Sequence, residues 1–404
     1  MSPARRPFPA LPRRIFLGGA ACLCALAAAL PARAWEAGDG RGGQDPATQT
    51  PGGDPLDRLE VSPGSEPAVF AALDRGLAFL AAQQARGTSG ALPCSAGENH
   101  APVGVTALAA LAWIGGGSSL TRGPYRENLE KAIDYLLDGQ VQEGEAKGYF
   151  TQTGDQVSRT HGHGLATLAL AQAFTISPRG AKGARIEAAL ELACERILEA
   201  QGVDGGWYYS PTASVEQEGS VTVALMWALR GAKDAGIHIP VEPIDKAVAY
   251  VRGLQDKSGG FQYSHTRPQT SVALTAAALS TLHATGIYEG KDVRAGYDYI
   301  WRELASRDLA RERGSADRIA FPFYERFYLA QALYQHKDET QFERWAAPLR
   351  LDLLRSQEKD GSWSDERLDP SGAVLRNQYG KSYSTAINCL VLSIPHSTLP
   401  IFSR

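Results

Sequence analysis

Lys246-Ala247-x-x-Tyr250-Val251-x-x-x-Gln255-x-x-x-Gly259-Gly260-Phe261 decides the fold, because the chain repeats it. Leu192-Ala193-x-x-Arg196-Ile197-x-x-x-Gln201-x-x-x-Gly205-Gly206-Trp207 is a second full copy. Arg75-Gly76-x-x-Phe79-Leu80-x-x-x-Gln84 and Lys131-Ala132-x-x-Tyr135-Leu136-x-x-x-Gln140 carry the first half, and Gln357-x-x-x-Gly361-Ser362-Trp363 carries the second. Ala295-Gly296-x-x-Tyr299-Ile300 is a degenerate copy, with Leu304 where the glutamine should stand. The anchor positions 84, 140, 201, 255, 304 and 357 are spaced by 56, 61, 54, 49 and 53 residues. Six units of similar length imply a stack or a closed ring.

Each unit holds two kinds of helical stretch. The segment before the anchor is apolar on one face, as in Ile186, Leu190 and Ile197 or Ile244, Val248 and Val251, and covers a core from outside. The segment after the Gly-aromatic turn is apolar nearly all round: Val103 to Ile114, Gly164 to Phe174, Val221 to Leu229 and Val272 to Leu282. A helix without a polar face must be buried on every side. The alternation predicts two concentric helical layers, twelve main helices in six hairpins, and essentially no sheet, since no useful period-2 pattern occurs.

These repeats resemble those of the terpenoid cyclase and protein prenyltransferase superfamily, whose Gln-x-x-x-Gly-x-Trp signature accompanies an all-α (α/α)6 toroid. The resemblance spans about residues 68 to 395 and is nearest to exported bacterial proteins with prenyltransferase and squalene-oxidase repeats. It implies architecture, not chemistry. Squalene and hopene cyclases carry Asp-x-Asp-Asp, and this chain has no Asp-x-Asp. Prenyltransferases hold zinc through Asp-x-Cys, and none of Cys94, Cys194 or Cys389 has an aspartate two residues before it. Toroidal thioester domains need Cys-Gly-Glu-Gln; Cys94-Ser95-Ala96-Gly97-Glu98-Asn99 has the wrong spacing and lacks the glutamine.

The remaining chemistry lies in polar residues just before or within the first turns of the inner helices. They are Asn99 and His100; Arg159, His161 and His163; Glu216 and Glu218; His265 and Arg267; Tyr324, Glu325 and Arg326; and Lys381 and Tyr383. In a closed ring these positions gather at one mouth, where an apolar wall with a few polar groups makes a pocket. His100, His161, His163, Glu216, His265, Tyr324, Arg326 and Tyr383 are therefore the candidate ligand-binding residues, although each alone also reads as ordinary helix-start polarity. His161-Gly162-His163 offers two metal ligands but no third is fixed, so neither metal nor cofactor is expected.

The first 34 residues hold five arginines and no acid, an apolar run from Ile15 to Leu30, and Ala32-Arg33-Ala34. That is an export signal with a small-x-small cleavage site, and Arg13-Arg14-Ile15-Phe16-Leu17 resembles the twin-arginine type. Residues 35–67 follow as a tether rich in Gly, Pro and acids, and 68–404 as the toroid domain. The mature protein is expected to be periplasmic or extracellular, with no transmembrane span after signal removal. Without the signal the chain has 36 basic against 44 acidic residues, which argues against a nucleic-acid partner. Two functional classes remain. One is a toroid that binds an apolar or peptide-like ligand, or a partner, without chemistry of its own. The other is an extracytoplasmic enzyme on the same barrel, a polysaccharide lyase acting on a sugar ligand or a terpene-type cyclase with an altered acid.

Overall fold

A computed structural model describes residues 66–93, 101–153, 155, 157–176, 180–314, 319–368, 373–377, 379–396 and 399–402. The export signal, residues 35–65 of the tether, Cys94, Asn99 and His100 lie outside the described residues. Among the described residues twelve α-helices run in order: α1 (Glu66–Gln84), α2 (Pro102–Gly115), α3 (Arg126–Asp138), α4 (Arg159–Thr175), α5 (Ala181–Glu199), α6 (Gly219–Asp234), α7 (Val241–Gly253), α8 (Val272–Ala284), α9 (Lys291–Glu312), α10 (Pro322–Tyr334), α11 (Glu339–Ser356) and α12 (Gly380–Ser393). Glu66 and Pro67, assigned above to the tether, form the first turn of α1, where proline is tolerated because the first amides have no partner within the helix.

The even-numbered helices pack each on the next, and α12 packs back on α2. They form a closed inner ring. The odd-numbered helices lie outside it: α3 covers α2 and α4, α5 covers α4 and α6, and α1 covers α12 and α2. The protein is an all-α (α/α)6 toroid. Composition sorts the layers: every residue of α2 from Val103 to Gly115 is buried, whereas α3 buries Leu129, Ala132, Ile133 and Leu136 and leaves its other face to water. Wholly buried Ala107, Ala109 and Ala110 on α2, and Ala166, Ala169 and Ala171 on α4, let the inner helices approach closely.

The anchor glutamines fasten one unit to the next. Gln201 Nε2 donates to Gly205 O (2.9 Å) in its own turn and to Pro243 O (2.8 Å) in the next outer helix. Gln255 does the same with Gly259 and Asp292, Gln84 with Gly90 and Asn128, and Gln140 with Gly148 and Ala189. Gln357 donates to Gly361 O and to Ala72 O of α1, which closes the ring. The turn glycine is required: Gly205 has φ of 98°, and a Cβ there would stand 2.4 Å from Lys246 O of the same outer helix. In the first two units this glycine lies six and eight residues after the glutamine, so a fixed four-residue spacing detects only half of the motif.

Two residues beyond each glycine a buried side chain covers the junction: Leu92, Phe150, Trp207, Phe261 and Trp363. Trp207 Nε1 donates to Ile197 O at 2.7 Å and Trp363 Nε1 to Leu353 O at 2.9 Å, which ties each turn to its own outer helix. Unit five lacks the turn. There Arg307, near the end of the long helix α9, makes a two-point ion pair with buried Glu325 in the first turn of α10.

Two small hairpins among the described residues depart from the sheet-free expectation: β1 (Gln262–Ser264) with β2 (Arg267–Thr270), and β3 (Glu366–Leu368) with β4 (Val374–Arg376). Both lie in loops leading into inner helices. At the opposite end of the ring the short turn Pro400–Phe402 enters the lumen. Phe402 rests against Trp227 of α6 (6.0 Å between ring centres) and Phe327 of α10 (6.1 Å), and Ile401 N–H donates to Gln172 Oε1 of α4. Contact with three inner helices puts this segment on the ring axis, as a plug. Cys194 and Cys389 are buried free thiols, the small hydrophobes their helices suggested.

Gln140→Leu strands two buried carbonyl contacts and should lower stability by about 1–3 kcal/mol. Trp207→Ala, which empties a buried junction, should cost roughly 3–5 kcal/mol. Thermal and urea denaturation check both, and an unchanged melt for Trp207→Ala would show that the side chain does not hold the junction.

Candidate functional site

Glu218 sits immediately before α6, wholly buried. As the N-cap it accepts from Ser220 N–H (2.8 Å), Val221 N–H (2.6 Å) and the Ser220 hydroxyl, an arrangement that satisfies amides with no partner in the helix. The Tyr209 hydroxyl is an electrostatic neighbour of this carboxyl. Burial pushes the carboxyl up to about 7 against these donors. It is the acid in the middle of an aromatic cluster.

The Tyr209 and Tyr263 hydroxyls are 3.1 Å apart. Both residues stand two positions after a turn aromatic, Trp207 and Phe261, so the same repeat offset aims them at the mouth. His161, in the first turn of α4, lies 5.5 Å from the Tyr209 ring and is pushed down to about 4 by burial. Its ring is neutral at pH 7. Across the ring, the Tyr324 and Tyr328 rings meet one turn apart on α10, tilted, with 4.7 Å between their centres. The Tyr324 hydroxyl is buried with no hydrogen-bond partner among the described residues, and its electrostatic neighbours are Tyr328, Glu218, Tyr209 and Tyr383. Tyr383 on α12 lies 5.0 Å from Tyr379 and 5.8 Å from Phe323. The mouth is therefore walled by tyrosines from the α5–α6 loop, β1, α10 and α12, with one buried carboxyl and one neutral imidazole among them.

Of the residues expected at the mouth, His161, Tyr324 and Tyr383 come together there. Three positions, those of His163, His265 and Glu216, are corrected. His163 lies inside the wall: it is 1% exposed, and its Nδ1 accepts from Phe150 N–H at 3.1 Å. The same bond, to the residue two after the turn glycine, is made by Thr106, Thr222, Thr275 and Thr385 in other units, so His163 occupies a framework position. His265 is exposed at the β1–β2 turn and leans on Tyr250 of outer helix α7, because the hairpin carries it outward. Glu216 is exposed in the loop beside Tyr208; the buried acid is Glu218, two residues on, where the helix begins. Arg326 crosses the seam between two inner helices, its Nη1 donating to Asn388 Oδ1 of α12 at 2.6 Å. His100 lies outside the described residues. Sequence reasoning passes over Tyr209, Tyr263, Tyr328 and Tyr379; for the first two, the shared offset from the turn aromatic is the available signal. Among the described residues no group of three or more His, Cys, Asp or Glu is placed to hold a metal, and no helix is long and apolar enough to cross a membrane.

No protein-family model matches the chain, and no curated protein is similar in sequence. Solved structures are similar in fold. A single-residue variant of type II terpene cyclase MstE from Scytonema, in complex with its substrate geranylgeranyl dihydroxybenzoate, superposes with a TM-score of 0.51 at 15% identity over 81% of this chain and 98% of that one. Cellobiose 2-epimerase from Bacillus thermoamylovorans gives 0.57 at 11% identity over 81% and 99%. An α-amylase from Clostridium perfringens gives 0.52 at 12% identity over 80% and 97%. The chain has a terpenoid cyclase-like fold that is shared with enzymes of sugars.

The buried groups set the pH dependence. Burial pushes His163 down to about 3 from 6.5, so the unfolded chain takes a proton that the native ring refuses. The stability it gives is full above pH 6.5 and is lost progressively as pH falls toward 3. His163→Thr, which installs the residue found at this place in four other units, should keep the Phe150 bond and shrink the drop in melting temperature between about pH 7 and pH 4. His163→Leu should cost about 1–3 kcal/mol at pH 7 by stranding that amide. Glu218 acts oppositely: its native value of about 7 lies above the ordinary 4.5, so the unfolded chain ionises first and stability declines as pH rises from 4.5 to 7. Denaturation across about pH 4–8 should show wild type losing about 2–4 kcal/mol relative to Glu218→Gln over that window.

Proposed function

We propose that this chain is an exported toroid whose mouth holds an apolar ligand against its tyrosine wall, without the cyclase or prenyltransferase chemistry of the proteins its repeats resemble. The observation that carries this reading is the convergence of Tyr209, Tyr263, Tyr324 and Tyr328 about Glu218, with Tyr383 beside Tyr324 and Tyr328. Aromatic faces offer large apolar contact at low entropic cost, and the few polar groups are largely satisfied by one another. The Tyr324 hydroxyl, without a partner among the described residues, leaves one polar atom to meet a ligand's polar end. The fold likeness to a terpene cyclase holding a geranylgeranyl compound supports the ligand class; the absence of Asp-x-Asp argues against the same chemistry. The export signal read in residues 1–34 supports work in the periplasm or the exterior, and the acidic balance of the rest of the chain argues against a nucleic-acid partner.

A terpene-cyclase-like enzyme with an altered acid is the second reading, favoured by Glu218, which holds its proton to about 7. A polysaccharide lyase needs a base and a cation over one substrate. Of His161, His163 and Arg326, drafted for those roles, His163 is inside the wall and Arg326 is turned to Asn388, which weakens that alternative.

Titration of the full chain with farnesol and with cellobiose, followed by calorimetry and native mass spectrometry, tests the proposal. Farnesol should bind, and the paired change Tyr209→Ala and Tyr324→Ala should weaken it at least tenfold while cellobiose stays unbound. Cellobiose binding without farnesol binding overturns the proposal in favour of a sugar enzyme. Turnover of a geranylgeranyl substrate that Glu218→Gln abolishes with binding retained establishes the second reading instead.

A further inference from the structure

Arg326 is a half-buried arginine at the seam between α10 and α12, without a carboxylate partner among the described residues. It leaves α10 toward α12, where its hydrogen bond goes from Nη1 to the neutral Asn388 Oδ1 at 2.6 Å, and its guanidinium lies 5.8 Å from the centre of the Phe323 ring. A guanidinium carries five N–H donors, so most of its donor capacity is unused. The neighbouring acids do not supply the deficit. Glu325 is held by Arg307, and Asp352 is exposed on α11.

Asn388 strengthens the case. It is 1% exposed, and its Nδ2 is buried with no partner among the described residues. The orientation of its amide is fixed by chemistry, because Arg326 has only donors and so must meet the oxygen. The amide N–H groups are then left over as further donors beside the cation. The buried Asn388 donor is costly to leave unpaired, and the half-buried charge beside it has no carboxylate partner among the described residues. Both deficits are removed by a single acceptor that bears negative charge.

We propose that Arg326 and Asn388 form a binding site for an oxyanion, the carboxylate or phosphate group of a small ligand, at the seam between α10 and α12. Arg326 supplies the charge and a planar pair of donors suited to two-point contact. Asn388 serves as the hinge of the site, accepting from Arg326 through Oδ1 and donating to the ligand through Nδ2. Phe323 beneath the guanidinium also touches Tyr383 of the mouth wall, yet the site does not depend on an apolar ligand at the mouth and stands or falls separately from it.

Benzoate, inorganic phosphate and the neutral analogue benzamide, each titrated into the full chain by calorimetry, test the site. Benzoate or phosphate should bind and raise the melting temperature, and benzamide should do neither; preference between the two anions tells a carboxylate ligand from a phosphate one. Arg326→Gln should weaken the preferred anion at least tenfold. Asn388→Asp places a carboxylate beside Arg326, and should raise the melting temperature of the free protein while abolishing anion binding. Since Arg326→Gln alone could simply impair folding, the Asn388→Asp result keeps the proposal falsifiable. An anion that binds Arg326→Gln as tightly as wild type, no anion binding to wild type, or an Asn388→Asp protein that melts lower than wild type overturns the proposal.

Discussion

The carboxamide of the anchor glutamine carries the architecture. Its NH2 group reaches two backbone carbonyls at once, one in the turn that follows its own outer helix and one in the next outer helix along the chain. Each bond is worth only about 1 kcal/mol net. Their value is geometric, because together they fix the angle between successive units. The glycine of the turn then becomes obligatory, since the same outer helix presses against the place where a Cβ would be. Gln357 is the informative copy: its second acceptor is Ala72, at the other end of the repeat array. One geometric rule applied by the last unit to the first turns a row of hairpins into a ring. The close approach of Gly76 on α1 to Cys389 and Trp363, where a Cβ would fall within 2.6 Å of the sulfur, marks the same closure.

Everything at the mouth follows from that closure. Inner helices that all point one way bring their first turns to one end, so residues far apart in the chain become neighbours around a rim. The framework uses some of those positions for itself, in particular the threonine, or His163, that accepts the amide two residues after the turn glycine. Tyr209, Tyr263, Tyr324, Tyr328 and Tyr383 take other positions around the same rim. Phe402 and Ile401 pack among the inner helices α4, α6 and α10. Unit five breaks the rule and replaces it with charge. The Arg307–Glu325 pair spans the same outer-to-inner gap that a glutamine-fixed turn spans elsewhere.

The toroid is legible in the sequence because repetition multiplies a weak local signal: a single Gln-x-x-x-Gly-Gly-aromatic run says little, and five related copies at similar intervals say a great deal. The site is legible only in part. His161, Tyr324 and Tyr383 can be found because position in the first turns of inner helices suffices to place them. His163 misleads because only its equivalence to Thr106, Thr222, Thr275 and Thr385 reveals a framework role, and that equivalence needs the turn glycines of the first two units, whose spacing is stretched. Glu216 and Glu218 are two residues apart and differ entirely in fate, since the start of α6 separates loop from cap. His265 is displaced by a hairpin too short to leave an alternating pattern in the sequence. The tail that plugs the ring carries no periodic signal at all.

The proposed ligand has one place in the ring, the tyrosine end. Photo-crosslinking of the full chain with a diazirine-bearing farnesol, followed by mapping of the labelled peptides, measures this directly. Label is expected on the segments that contain Tyr209, Tyr324 and Tyr383, competed away by unlabelled farnesol. Label concentrated on the His265 hairpin, on the outer helices, or nowhere above background would contradict it.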